Sequence, residues 1–358
     1  MGKKSLGEVT VIFTMRLHLQ NCWRWLLHWL VFRPSFTMKR CFSLSLVVGL
    51  FAASNLFAQS LSSSVIAQRY SEFVGNRVEA ATILGGDYGA AGGLYDFSGG
   101  RDTEVSITKL GGGGVITSPQ DSGFGTMKWA PMLLGNIGYV TSDNEYTTGL
   151  LRGNRSESSF YSVQGGAGAR FYFGDHFSLS PEVSLIYGHT ENEFIASNSN
   201  GRLFKSLAGG DFVDWELETL TLLPAVEARY EWNWGRTVLR FSSRFGWFRT
   251  DTLESSTDFI EVEGESVTWE NKLDVDVPLG VKLFGREMHT GGYLSRTEIG
   301  GDAADGLGTD YLHTLNGRLV LDMTGTIRGL RWLGIGASYS QGEDVDGWSF
   351  GMDVRLKF

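Results

Sequence analysis

Residues 348–358 alternate without a break between apolar and polar positions. Trp348, Phe350, Met352, Val354, Leu356 and Phe358 share one face; Ser349, Gly351, Asp353, Arg355 and Lys357 share the other. Period-two alternation of this length predicts a β-strand with one apolar and one polar side. The same signature recurs at 129–139, 161–173, 177–187, 220–234, 239–247, 267–283, 311–323 and 333–339. Weaker, glycine-broken versions cover 81–97 and 102–117, and Tyr293 lies in another poor one. Ahead of the strands, Ile66, Tyr70, Val74 and Val78 recur every four residues behind Ser62, Ser63 and Ser64. That spacing predicts one helix over about 65–80, capped by the serines, with Arg69, Glu72, Arg77 and Glu79 around its remaining faces.

Connections between the strands alternate in length. Residues 174–175, 235–236, 285–286 and 325–329 form short glycine-containing turns, whereas 142–156, 191–214, 251–265 and 300–310 are long and polar. Aromatic residues gather at both ends of the strands. Phe171, Phe173, Phe177, Tyr230, Trp232, Trp234, Trp332 and Phe358 adjoin the short turns. Tyr139, Tyr161, Tyr187, Trp247, Trp269, Tyr311, Tyr339 and Trp348 adjoin the long loops. Two aromatic girdles around an apolar band, with short and long connections on opposite sides, describe an all-β transmembrane antiparallel up-and-down barrel of about twelve strands. The short N-terminal helix is too polar for lipid and is expected inside the lumen. Pro131, Pro181, Pro224 and Pro278 fall within strand patterns, where bulges or strand ends are expected because proline lacks the ladder donor.

The beginning of the chain reads as export. Met38, Lys39 and Arg40 precede an apolar run at 42–53, and Ala58 precedes a cut at Gln59, which makes 38–58 a signal peptide. Residues 1–37 are expected to be a mis-assigned start or leader extension. The helix or linker then covers 59–80 and the barrel 81–358. Cys22 and Cys41 both fall in the removed part, leaving no disulfide or thiolate chemistry in the exported chain. The whole chain carries −9 and the leader, with seven Lys/Arg against one acid, carries +6, so the exported part is near −15. This acidity argues against a nucleic-acid partner.

The polar face of the strands carries both signs of charge. Glu182, Glu227, Arg229, Glu231, Arg240, Arg244, Glu270, Lys272, Asp274, Asp276, Lys282, Arg318, Asp322, Asp353, Arg355 and Lys357 are expected to face the lumen, where they must pair or stay wet. Such a lining suits a hydrated, salt-bridged interior or the selectivity surface of a small-solute pore. No metal or cofactor is expected: His176, His189, His289 and His313 lie on separate segments. Two outer-membrane hydrolase chemistries are alternatives. A protease of the omptin type would draw on His189, Glu191, Glu193, Asp211 and Asp214, and a phospholipase on His313, but neither set has a motif. The glycines at 111–114 lack the lysine and hydroxyl of a phosphate-binding loop.

An export signal, a short amphipathic helix, about twelve strands and a terminal Phe358 resemble the translocator barrel of autotransporters. Only about twenty residues separate Gln59 from the strands, so the chain resembles the solitary, passenger-less outer-membrane autotransporter-type barrels. The resemblance implies a helix threaded through the pore and a plugged or narrow lumen in a Gram-negative outer membrane. The implied role is structural or carried by the surface loops. It also implies that the last strand, Trp348, Phe350, Met352, Val354, Leu356 and Phe358, is the signal read by the barrel-insertion machinery. Membrane lipid and that machinery are the expected partners; the sequence points to no surface ligand and no catalytic residue.

Overall fold

A computed structural model describes residues 63–86, 90–97, 103–123, 126–147, 149–208, 212–324 and 330–356. The expected leader, signal peptide and Phe358 lie outside the described residues. Helix α1 (Ser63–Gly86) is followed by β1 (Ala90–Phe97), β2 (Thr103–Val115), β3 (Gln120–Asp121) and β4 (Lys128–Glu145). Then come β5 (Arg155–Phe173), β6 (Phe177–Ile195), helix α2 (Ser199–Ala208), β7 (Trp215–Trp234), β8 (Thr237–Ser255) and β9 (Glu263–Leu283). The chain finishes with β10 (Arg286–Gly301), helix α3 (Asp302–Leu307), β11 (Tyr311–Asp322), β12 (Leu330–Gln341) and β13 (Val345–Leu356).

All pairings are antiparallel, and the sheet closes on itself. The ladder runs from β4 to β13 in chain order, β13 pairs with β1, β1 with β2, and β2 returns to β4. Twelve strands form this ring; the two-residue β3 only extends the start of β4. Closure leaves no unpaired sheet edge, which is what permits strands to cross a membrane. No helix among the described residues is long and apolar enough to do so.

Alternation decides which side chains meet the outside. On β6, Phe177, Val183, Leu185 and Tyr187 are exposed on the outer face while Ser178, Ser180, Ser184 and Ile186 are buried on the inner one. From Phe177 to Tyr187 is ten steps, about 33 Å along the strand, or about 25 Å of height at a typical barrel tilt. That matches the apolar band of a membrane barrel. The outer face of β13 continues the band, with Trp348, Phe350 and Met352 more than half exposed.

Pro278 alone sits at a bulge as expected; Pro131, Pro181 and Pro224 lie within strands whose register is unbroken. The β5–β6 ladder skips the pairs beside Pro181, and the β7–β8 ladder skips those beside Pro224, each resuming in the same register. Pro278 sits next to a bulge in β9–β10, and Pro131 lies just past the end of β2. The turn between β9 and β10 is Phe284–Gly285, one residue earlier than anticipated, with φ of 51° and 75°. Two successive positive φ values make it a type I′ turn, which follows the strand twist.

Two expectations need correction. Helix α1 does not stop at 80 but continues to Gly86, so residues 81–86 belong to it and not to the barrel wall. Trp332 does not join the inner girdle. It shares the inward parity of Gly334 and Gly336, opposite to the exposed Ile335, so its ring points into the lumen, where it is 4% exposed.

Candidate functional site: the barrel lumen

Helix α1 occupies the lumen on the long-loop side. Val74 and Val78, one turn apart, pack against the inward residues Val105, Ile107, Val140, Phe160, Trp215 and Leu217. Deeper, Ile83 reaches a cluster of Ile186, Leu223, Ala225 and Phe248. A helix walled in on all sides buries its polar faces too: Glu79 and Thr82 are both within 1% of full burial.

Both ends of the helix are tied to the wall. At the rim, Tyr70 donates its hydroxyl to the Phe212 carbonyl and accepts the Trp215 indole N–H at 2.9 Å. Burial pushes the Tyr70 phenol up to about 12, partly offset by the Trp215 hydrogen bond. Ser71 bridges Glu261, donating to its carbonyl and accepting its N–H at 3.1 Å. At the inner end, the Asn136 amide donates to the Gly85 carbonyl, and Gly138 permits the contact, since a Cβ there would lie 2.7 Å from that carbonyl oxygen. The N-terminal end of α1 thus faces the long loops and its C-terminal end stops at mid-barrel.

A second clamp comes from the loop between β10 and β11. Its helix α3 folds inward, and Ala303 and Leu307 cluster with Ala80 and Ile299. Gly306 touches the α1 backbone so closely that a Cβ would lie 2.0 Å from the Asn76 oxygen. Composition alone marks 300–310 as a polar loop.

Below the helix, the lumen is lined by ion pairs. Arg244 gives two hydrogen bonds to Glu182 Oε1, at 3.0 Å from Nε and 2.8 Å from Nη2. Asp274 lies between Arg240 at 2.9 Å and Arg318 at 2.7 Å, and Arg240 also meets Glu231 at 3.0 Å. Arg229 pairs with Glu227 at 2.9 Å, and Lys272 pairs with Glu270 at 3.0 Å beneath the Tyr293 ring. Asp276 holds His289 Nδ1 at 2.9 Å, with the imidazole beside Trp332.

Arg170 and His289 were not among the lumen charges expected. Arg170 contacts Glu227 at 3.5 Å and donates to Ser180 at 3.0 Å. Its even position on a strand whose odd positions are apolar already put it inside; His289 lies on β10, where the alternation is poor. Two expected charges play other parts. Lys282 is exposed beside the β9–β10 turn, and Asp322 accepts the Thr324 N–H at 2.8 Å. Asp353 and Arg355 stand opposite Gly334 and Trp332 in the β12–β13 ladder. The side chains of 353–356 and the whole of Lys357 lie outside those described.

The hydrolase sets do not converge. His189 meets Glu191 at 3.1 Å on an outward-facing register, whereas Asp214 is committed to the Phe194 N–H at 2.9 Å and Lys205 at 3.1 Å. His313 lies 3.3 Å from Arg296 on the outer face, and Asp211 is outside the described residues. No group of three or more metal-binding side chains occurs among the described residues.

Comparison with known proteins follows the same architecture. The family model for the solitary outer membrane autotransporter beta-barrel domain matches residues 117–352. Among solved structures, the chain is similar to the beta domain of the Bordetella autotransporter BrkA, with 15% identity and a TM-score of 0.49 over 76% of this chain and 100% of that one. It is also similar to the transport unit of the autotransporter AIDA-I from Escherichia coli, with 12% identity and a TM-score of 0.48 over 80% of this chain and 99% of that one. The translocator domain of NalP from Neisseria meningitidis gives 11% identity and a TM-score of 0.46 over 87% and 99%. The comparison with curated protein sequences gives no match.

Proposed function

The chain belongs to the solitary outer membrane autotransporter β-barrel domain family and is a protein of the Gram-negative outer membrane, and from that premise we propose that its lumen is closed by its own N-terminal helix. The barrel then serves as a sealed wall element whose long loops act at the cell surface. The observation that carries this reading is the seating of α1. It is held at the rim by Tyr70 and Ser71, at mid-barrel by Gly85, and from the side by α3. The reading assigns no reaction to the barrel, in keeping with the dispersed positions of His189, Asp214 and His313. It takes the last strand as the segment recognised by the insertion machinery. Trp348, Phe350 and Met352 present the apolar face that such recognition requires.

The charged lower lumen favours a second reading, a narrow pore for small solutes that opens when the helix moves. Planar-bilayer recording separates the two. The intact chain is expected to conduct weakly, and removal of residues 62–80 to raise the current. A large steady current from the intact chain would overturn the closed-lumen reading, and an unchanged current after the deletion would remove the helix from any gating role.

A further inference from the structure

We propose that Glu79 is a proton latch on the lumen helix, seating α1 while its carboxyl carries a proton and loosening it when the proton leaves. The proposal rests on the closed-lumen reading and adds a control to it.

Glu79 is fully buried, and neither carboxyl oxygen has a hydrogen-bond partner among the described residues. Its carboxyl lies flat on β9 at Gly264, where a Cβ would come within 2.6 Å of Oε1. An ionised carboxylate left in this state would be costly, whereas a neutral one is tolerated. The surroundings supply hydroxyls and a like charge. Thr250 on β8 and Ser266 on β9 face the carboxyl; Thr250 also meets Thr221 at 2.7 Å, and Ser266 accepts the Ala303 N–H at 3.0 Å, which leaves its O–H able to donate. The charged group that acts on it from α3 is Asp302, whose Oδ2 accepts the Glu265 N–H at 2.8 Å. On β9, Glu265 turns away to Trp247, with the indole N–H donating at 2.8 Å, and Glu263 borders the rim cleft. On α1 itself, Arg77 is directed to Asn144 at 3.3 Å and lies over Phe73. Burial first, and then Asp302, push the Glu79 carboxyl above the ordinary carboxylate range, with Thr250 and Ser266 offsetting part of the rise.

A route for the proton adjoins the site. A cleft of about 540 Å³ opens at the rim, lined in part by Ser71, Gly75, Asn76, Glu263 and Asp302. Glu79 lies one turn further along the same helix face, below that cleft. Once ionised, Glu79 gains by reaching water, leaving the hydroxyls of Thr250 and Ser266 and the backbone at Gly264. The released proton goes to solvent through the cleft.

The sign follows from linkage. The seated helix binds the proton more tightly than the displaced helix does. Seating is therefore strongest below the ordinary carboxyl pKa and weakens as pH rises toward the raised value, by up to tenfold per pH unit. The test is bilayer recording of the full exported chain across a pH series, comparing the wild type with E79Q and D302N. Opening of the wild type is expected to rise with pH. E79Q, with the same shape and no charge to gain, should stay closed and flat. D302N should shrink the response by making ionisation easier. Heat-shifted migration on gels confirms that each variant is a folded barrel. If E79Q misfolds, the pH-dependent response of D302N alone decides the matter. An identical pH response in E79Q and wild type, or a wild type insensitive to pH, would overturn the latch. If deletion of 62–80 raises the current yet E79Q changes nothing, the latch fails and the plug stands. If the deletion has no effect, the plug itself fails.

Discussion

Gly306 gives direct leverage on how firmly the lumen helix is held. In G306A the new Cβ would lie 2.0 Å from the Asn76 oxygen, 2.6 Å from its carbonyl carbon and 3.1 Å from Ala80 Cβ. The first two are backbone atoms and cannot rotate aside, so α1 and α3 must part by about 1 Å to restore ordinary contact. Overpacking of this kind costs about 1–3 kcal/mol. Gly306 is not among the glycines with positive φ, so the cost falls on the α1–α3 contact and not on strained backbone. If that contact governs seating, the ratio of displaced to seated helix rises by about 5- to 150-fold. The strand ladders do not involve Gly306 and should melt as before. Single-channel recording of G306A should show more frequent openings at an unchanged barrel melting temperature. Opening statistics equal to the wild type would refute the idea that α3 clamps the plug. A matching loss of barrel stability would show that the substitution acts on the whole fold.

Three further outcomes are expected. R244A removes both hydrogen bonds from a Glu182 side chain that is only 5% exposed, and should destabilise the barrel by about 3–5 kcal/mol in detergent unfolding, with R244A/E182Q recovering much of the loss. Y70F strands the Trp215 N–H and should loosen the rim end of α1 by about 1–3 kcal/mol. Because the Tyr70 phenol is raised to about 12, its ionisation weakens seating only as pH climbs above the ordinary phenol value near 10. That alkaline loss, followed by tyrosinate absorbance, should vanish in Y70F. Removal of Phe358 should slow assembly by the insertion machinery in reconstituted membranes while leaving spontaneous folding in detergent largely intact; equal assembly rates would separate the terminal residue from recognition.

What could be read in advance follows from how each residue is constrained. Lipid outside and water or helix inside force strict alternation, so the outward sets on β4 to β9 and the paired charges Glu182, Arg244, Arg240 and Asp274 were legible from period two alone. Arg170 obeyed the same rule. So did Trp332, an even position on a strand whose odd positions are apolar, whereas His289 was hidden because β10, broken by Gly291 and Gly292, gives no clear alternation. The end of α1 was hidden for a different reason. Thr82, Ile83, Gly85 and Gly86 are poor helix formers; packing of Ile83 on Ile186 and Leu223 and the Asn136 bond to the Gly85 carbonyl hold this end in place. Glu79 and the infolded α3 were out of reach because both depend on contacts between segments more than 180 residues apart. A charge on an amphipathic helix normally reads as a solvated face; only the enclosing barrel makes it buried.

The account depends on α1 being seated in the lumen with Gly75 against Val262. In a chain lacking Cys22 and Cys41, the pair G75C and V262C, at a site where a Cβ on residue 75 would lie 3.5 Å from Val262 Cγ1, expressed in the outer membrane of intact cells and mildly oxidised, tests this directly. The account predicts a disulfide that forms readily, shifts gel migration and holds conductance low until reduced. Two cysteines that fail to join and instead react independently with an impermeant maleimide would contradict it.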